Sequence, residues 1–242
     1  MKYLSLFLPT SSSIPPEKGW KLWLEEFMTL WSSFNNFPSW EVELFTLYTR
    51  LAFHNTGKID WTPYIEFLFT KFMVALGLPV TYGQSGVKVK FGLSESGSFS
   101  FISRWIVSAL GGPQGKQVQA HLDKMLLAIE SYYHPANASV ASEALHTFIH
   151  NLCNGFIYRL HLERYNDKWE SKTPIEKRLT DEDVDHFVQS LIPVVFHILY
   201  NPFEEERKAI FHSLATIRPD LIIPPLLERL QSASESLTEP HR

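Results

Sequence analysis

The chain has 242 residues, a formal net charge of -4 and charged residues at 20% of the total. That balance excludes nucleic-acid binding carried by charge alone, and the 45% apolar content argues against global disorder. A single cysteine, Cys153, leaves no internal disulfide and fits a reducing compartment.

Along the chain, the first thirteen residues have a faint signal-peptide outline. Their apolar run, about six residues, falls short of the ~7–15 such a signal needs. They read instead as the tail of an amphipathic helix. In 17–34 the residues Trp20, Trp23, Leu24, Phe27, Met28, Trp31 and Phe34 recur at steps of three and four, one face of an α-helix. Segment 39–54 repeats this with Leu44, Leu47, Tyr48, Leu51 and Ala52, and segment 61–76 with Trp61, Ile65, Leu68 and Phe72. Asp60 is a suitable N-cap for the latter, and Gly77 with Pro79 a suitable stop. The stretch 78–97 is rich in Gly and Ser. Its Val87–Phe91 alternates like a strand without a partner, so an extended loop or small hairpin is expected.

Helices resume at 98–110, ending on Gly111-Gly112-Pro113, and then at 116–133 with Val118, Leu122, Met125, Leu126 and Ile129 inward. Asn137-Ala138-Ser139 has a glycosylation pattern but reads as a helix-entry segment after His134-Pro135. Two helices follow, 138–152 and 154–165. A charged loop, 166–180, ends on the N-cap Thr180. Asp181, Glu182 and Asp183 suit the positive end of the next helix, 181–199, in which Pro193 predicts a kink. Helix 203–216 comes next. In 218–230, Asp220 to Ile223 read as a short turn, and Pro224-Pro225 as the opening of a last helix, 225–234, because proline is tolerated in a first turn.

Helix starts near 17, 39 and 61 lie about 22 residues apart, as do later ones, so a pair takes about 44, within the range of HEAT and armadillo repeats. The predicted fold is all-α: one continuous α-solenoid of stacked antiparallel helix pairs over 1–242, with a globular all-α fold as the alternative.

Candidate chemistry is sparse. His146 and His150 stand one turn apart, the spacing of a helical metal site, but without the His-Glu-x-x-His pattern they read as structural or surface residues. Cys153 lacks the neighbours of a nucleophile. Ser11-Ser12-Ser13 reads as a loop, and Gly111, Gly112 and Gly115 match no phosphate loop. Arg159, His161, Arg164 and Lys168, interleaved with Glu163 and Asp167, could meet an anion but read as a solvated helix end. Trp20, Trp23 and Trp31 read as core. No catalytic, cofactor-binding or metal residue is assigned, and the chain reads as a non-enzyme acting through its surface.

Several stretches are more specific than a generic repeat: 6–31, "IDWTPYIEFLFTKF" (59–72), "SYYHPAN" (131–137), "RLHLERY" (159–165), "LTDEDVDHFVQ" (179–189), "RPDLIIPPLLERL" (218–230) and "LTEPH" (237–241). In order and over nearly the whole chain, they resemble the large HEAT-repeat proteasome activators, the proteasome activator complex subunit 4 family. Departures fall in loops, at 11–13 and 78–97. The resemblance implies an internal segment, in the N-terminal half, of a much longer protein that caps the proteasome core particle as a dome. It implies ATP-independent gate opening, degradation of peptides and acetylated histones, DNA repair, and a place in nucleus and cytoplasm. It also implies inositol phosphate binding in the full dome, assignable to no residue here. From the lack of a basic excess and of an apolar run near the roughly 20 residues of a membrane span, no direct nucleic-acid or membrane partner is expected. The family's core-docking tail and acetyl-lysine-reading region have no counterpart in this stretch. An excised solenoid piece is expected to expose apolar faces and to associate. The alternative from another class is a HEAT-repeat adaptor or transport-receptor fragment that binds a protein ligand. A small helical enzyme built on His146 and His150 is the remaining reading.

Overall fold

The computed structural model describes residues 7–33, 38–76, 78, 98–134, 140–165, 173–199 and 204–238. Their helices are α1 (Leu24–Ser33), α2 (Pro38–His54), α3 (Ile65–Ala75), α4 (Ser98–Ala109), α5 (Gly112–Ile129), α6 (Val140–Arg164), α7 (Asp181–Ile198), α8 (Glu204–Ile217) and α9 (Pro219–Thr238). Short 3-10 turns stand at Pro16–Lys18, Trp20–Leu22, Thr62–Tyr64, Glu130–Tyr133 and Ile175–Lys177.

The helices stack in two rows. One runs α2, α4, α6, α8, each helix packed on the next. The other runs α3, α5, α7, α9. Trp31 joins α1 to the head of this second row, edge-on to Phe67 of α3 with ring centroids 5.4 Å apart. Consecutive helices therefore alternate between rows, and the chain is an α-solenoid of helix pairs, as its period predicts. Apolar stripes meet between the rows. Leu122 of α5, Phe148 and Phe156 of α6, and Val184 and Phe187 of α7 are all fully buried. Burial of each such side chain contributes roughly 1.5–3 kcal/mol. Phe156 and Phe187 stack face to face across the two rows, 3.8 Å between centroids.

Several boundaries differ from the sequence reading, each for a physical reason. The helix expected over 17–34 opens as two 3-10 turns, and its α-helical part starts at Leu24. The two helices expected over 138–165 are one, α6. Leu152, Cys153 and Phe156 around the expected break are all buried, and this packing carries the helix past Gly155. Helix α5 starts four residues early, at Gly112, with Pro113 in its first turn. At the C-terminal end, Pro224-Pro225 do not open a helix. Helix α9 begins at Pro219 and runs through both prolines. Pro219 takes the first-turn role expected of the later pair, and Ile222, 1% exposed, anchors the segment in the core. The prolines deprive the carbonyls of Asp220 and Leu221 of their helical donors, and Asp220 is exposed to water. Helix α7 likewise continues through Pro193, which lies on its exposed side.

Asp60 accepts the amide of Thr62 on Oδ1 at 3.0 Å, and Thr180 caps α7 reciprocally with Asp183. The strand-like 87–91, the stop at Gly77 and Pro79, the sequon at 137–139 and Lys168 lie outside the described residues. Among the described residues, no helix is long and apolar enough to cross a membrane.

Candidate functional site

The residues singled out for chemistry do not converge. His146 lies in the core at 1% exposure, edge-on to Tyr133, a structural residue. His150 is half-buried, with Nε2 2.9 Å from Nδ2 of Asn154. Among the described residues, no group of three metal-ligating side chains comes together. Cys153 is fully buried, and burial pushes its thiol up to about 12, so at neutral pH it carries its proton and cannot attack. Trp23 and Trp31 are core residues, Trp20 is partly buried against that core, and Ser11 to Ser13 form a turn closed by the Ser13 amide on Ser11 Oγ.

Arg159 departs most from expectation. It is not at a solvated helix end: it is 7% exposed, and its Nε donates to Glu163 Oε1 at 2.7 Å. Nη1 donates to the carbonyls of Val107 (2.5 Å) and Leu110 (2.8 Å) at the C-terminal end of α4. Nη2 donates to the Lys177 carbonyl at 3.0 Å, and Glu163 Oε2 accepts the Leu179 amide at 2.8 Å. Burial lowers the pKa of this guanidinium, and the Glu163 carboxylate opposes that shift. The remaining basic residues go elsewhere. His161 is exposed, and Arg164 pairs with Asp181 at 3.0 Å. Arg218 also meets Asp181, at 2.9 Å, and together the two arginines hold that carboxyl below its ordinary value.

The pair in α6 thus fastens the strap 173–180 over the tight turns of the two preceding helix pairs. Gly57 (φ 73°) and Gly111 (φ 84°) occupy left-handed backbone at those turns. A Cβ on Gly57 would lie 2.7 Å from Lys177 Cβ, and one on Gly111 2.5 Å from the Lys177 carbonyl oxygen. Only glycine fits both the angle and the approach.

Beside the strap, across the row α2–α4–α6, lies an open groove of about 700 Å³. Phe53 of α2, Arg104 and Val107 of α4, and Asn151, Gly155 and Tyr158 of α6 line it. The Arg104 guanidinium carbon stands 5.1 Å from the centre of the Phe53 ring. Sequence reasoning missed these residues because they come from three helices. The one signal available was Gly155, a glycine inside a strong helical pattern.

The chain matches the family described as "Proteasome activator complex subunit 4, mid HEAT repeats region" over residues 122–242, half of its length. The chain belongs to the proteasome activator complex subunit 4 family. Family resemblance extends through the other half. The chain is 42% identical to "Proteasome activator complex subunit 4" of Homo sapiens over 245 residues and 41% identical to that of Xenopus laevis over 247 residues. These alignments cover 99% and 100% of the chain respectively. "Proteasome activator subunit 4" of Arabidopsis thaliana is 25% identical over 253 residues, 99% of the chain. The chain spans 13% of the length of the two vertebrate relatives and 14% of the plant one.

Proposed function

We propose that this chain forms part of the wall of a proteasome activator, a non-catalytic dome that caps the proteasome core particle and promotes gate opening without ATP. The observation that carries this reading is 42% identity, held over 99% of the chain, to a protein named as a proteasome activator subunit. A two-row solenoid supports it, since stacked helix pairs build large curved surfaces whose function lies in shape and contact. On this reading, degradation of peptides and acetylated histones, inositol phosphate binding, DNA repair and residence in nucleus and cytoplasm belong to the assembled activator. Docking on the core belongs to the assembly as well.

Purification of the tagged full-length gene product tests the reading directly. It should bring down the proteasome core particle and stimulate hydrolysis of a fluorogenic peptide in the absence of ATP. Failure to associate with the core at low salt, where surface electrostatics are strongest, overturns it.

A further inference from the structure

We infer that the groove across α2, α4 and α6 binds an extended peptide segment carrying acidic and aromatic side chains. The argument begins with Gly155. A glycine inside a helix destabilises it by roughly 0.5–1 kcal/mol relative to alanine. Packing does not require one here, because a Cβ at 155 would meet Val107 Cγ2 at 3.6 Å, an ordinary contact. Its backbone φ is not in the left-handed region either. Gly155 lines the groove, and its absent side chain leaves that space open.

The walls then define the ligand. Arg104 is exposed and has no carboxylate partner among the described residues. Its guanidinium carbon lies 5.1 Å from the centre of the Phe53 ring, which places the charge beside an aromatic face where a guanidinium can take a carboxylate in bidentate fashion. Phe53 and Tyr158 are 39% and 57% exposed and offer aromatic faces from α2 and α6. Asn151, half-buried in the lining, has both a donor and an acceptor, the complement of a peptide group. The other cation in the groove, Arg159, is consumed by Glu163 and three carbonyls. One available positive charge suits a single carboxylate flanked by apolar groups and does not suit a polyphosphate. The groove's volume, about 700 Å³, lies within the range of sites that enclose small ligands or short segments.

Fluorescence anisotropy with the 242-residue chain provides the test. The probe is a short labelled peptide alternating glutamate with phenylalanine, compared with its glutamine counterpart and challenged with inorganic pyrophosphate. The glutamate peptide should bind saturably, about tenfold more tightly than the glutamine one. Arg104→Gln should erase that difference. Gly155→Leu should abolish binding of both peptides while melting no lower than the parent, since leucine favours helix. If Gly155→Leu does not fold, Tyr158→Ala, at an exposed side chain, should weaken both peptides about equally. Equal affinity for the two peptides, full competition by pyrophosphate, or unchanged binding in the folded groove variants would each overturn the inference. This test uses no proteasome, so its outcome is separate from that of the activator reading.

Discussion

Among the described residues, two ion pairs set largely into the interior are built differently. At the head of the stack, Glu41 of α2 accepts from Trp31 Nε1 of α1 and from Lys71 Nζ of α3, both at 2.7 Å. Every partner there is a side chain, and the Lys71 ammonium also lies 5.6 Å from the centre of the Phe67 ring. In the middle of the stack, Arg159 and Glu163 sit on one helix and spend most of their hydrogen bonds on backbone: three carbonyls and one amide. The first is a staple between helices and can be exchanged as a set. The second also satisfies three carbonyls and one amide of the backbone, so apolar residues of the same volume would leave those groups short of these bonds.

The largest expected effect tests the second half of that contrast. Arg159→Met should cost about 3–5 kcal/mol, because it strands a buried carboxylate and three carbonyls at once. A loss under about 1 kcal/mol by urea denaturation would remove the distinction. Next comes the staple. Lys71→Met alone leaves Glu41 buried without its cation and should cost roughly 3 kcal/mol. Adding Glu41→Leu should recover part of that loss, leaving about 1–2 kcal/mol for the orphaned Trp31 indole. A double variant less stable than the single would refute the exchangeable staple.

Alkaline titration separates the Arg159 pair from the helix that carries it, since α6 also buries Cys153. The Cys153 thiol titrates at about 12 when folded, against an ordinary value of 9.0. Below the ordinary value both states hold the proton, and nothing is lost. Between the two values the unfolded chain releases a proton that the folded chain keeps, so stability falls as pH rises, by up to about 1.4 kcal/mol per pH unit. Buried Tyr48 and Tyr133, whose hydroxyls are also raised by burial, add to the fall above their ordinary value of 10.0. Thermal melts from neutral pH upward should show this slope, and Cys153→Ala should make it shallower. The smallest effect belongs to Thr180→Ala, which removes the cap of α7 but touches neither ion pair and should cost about 1 kcal/mol.

Legibility in the sequence followed the range of the interactions. Leu122, Met125 and Ile129 betray α5 because a buried stripe recurs every turn, and Thr180 with Asp183 betrays the start of α7 within four residues. The pairing into a solenoid was legible from spacing alone. Arg159 was not, because a charged residue beside Glu163 at the expected helix end looks the same whether it faces water or three carbonyls from other elements. Pro224-Pro225 misled for a related reason: local backbone rules favour a helix start there, and the burial of Ile222 that prevails over them is tertiary. The groove was least legible, since Phe53, Arg104 and Tyr158 are separated in the chain by roughly fifty residues each and only the stacked row aligns them.

Lys177 reaches back past its nearest repeat. Its backbone and stem lie against Gly111, one helix pair earlier, and against Gly57, two pairs earlier. A linear array in which each unit feels only its neighbours unfolds piecemeal from either end. A latch spanning three units breaks that rule: the first pair cannot fray without loosening the third. This stretch should therefore open in hydrogen exchange as a single cooperative block, with amides around Gly57 and Leu179 sharing one opening free energy.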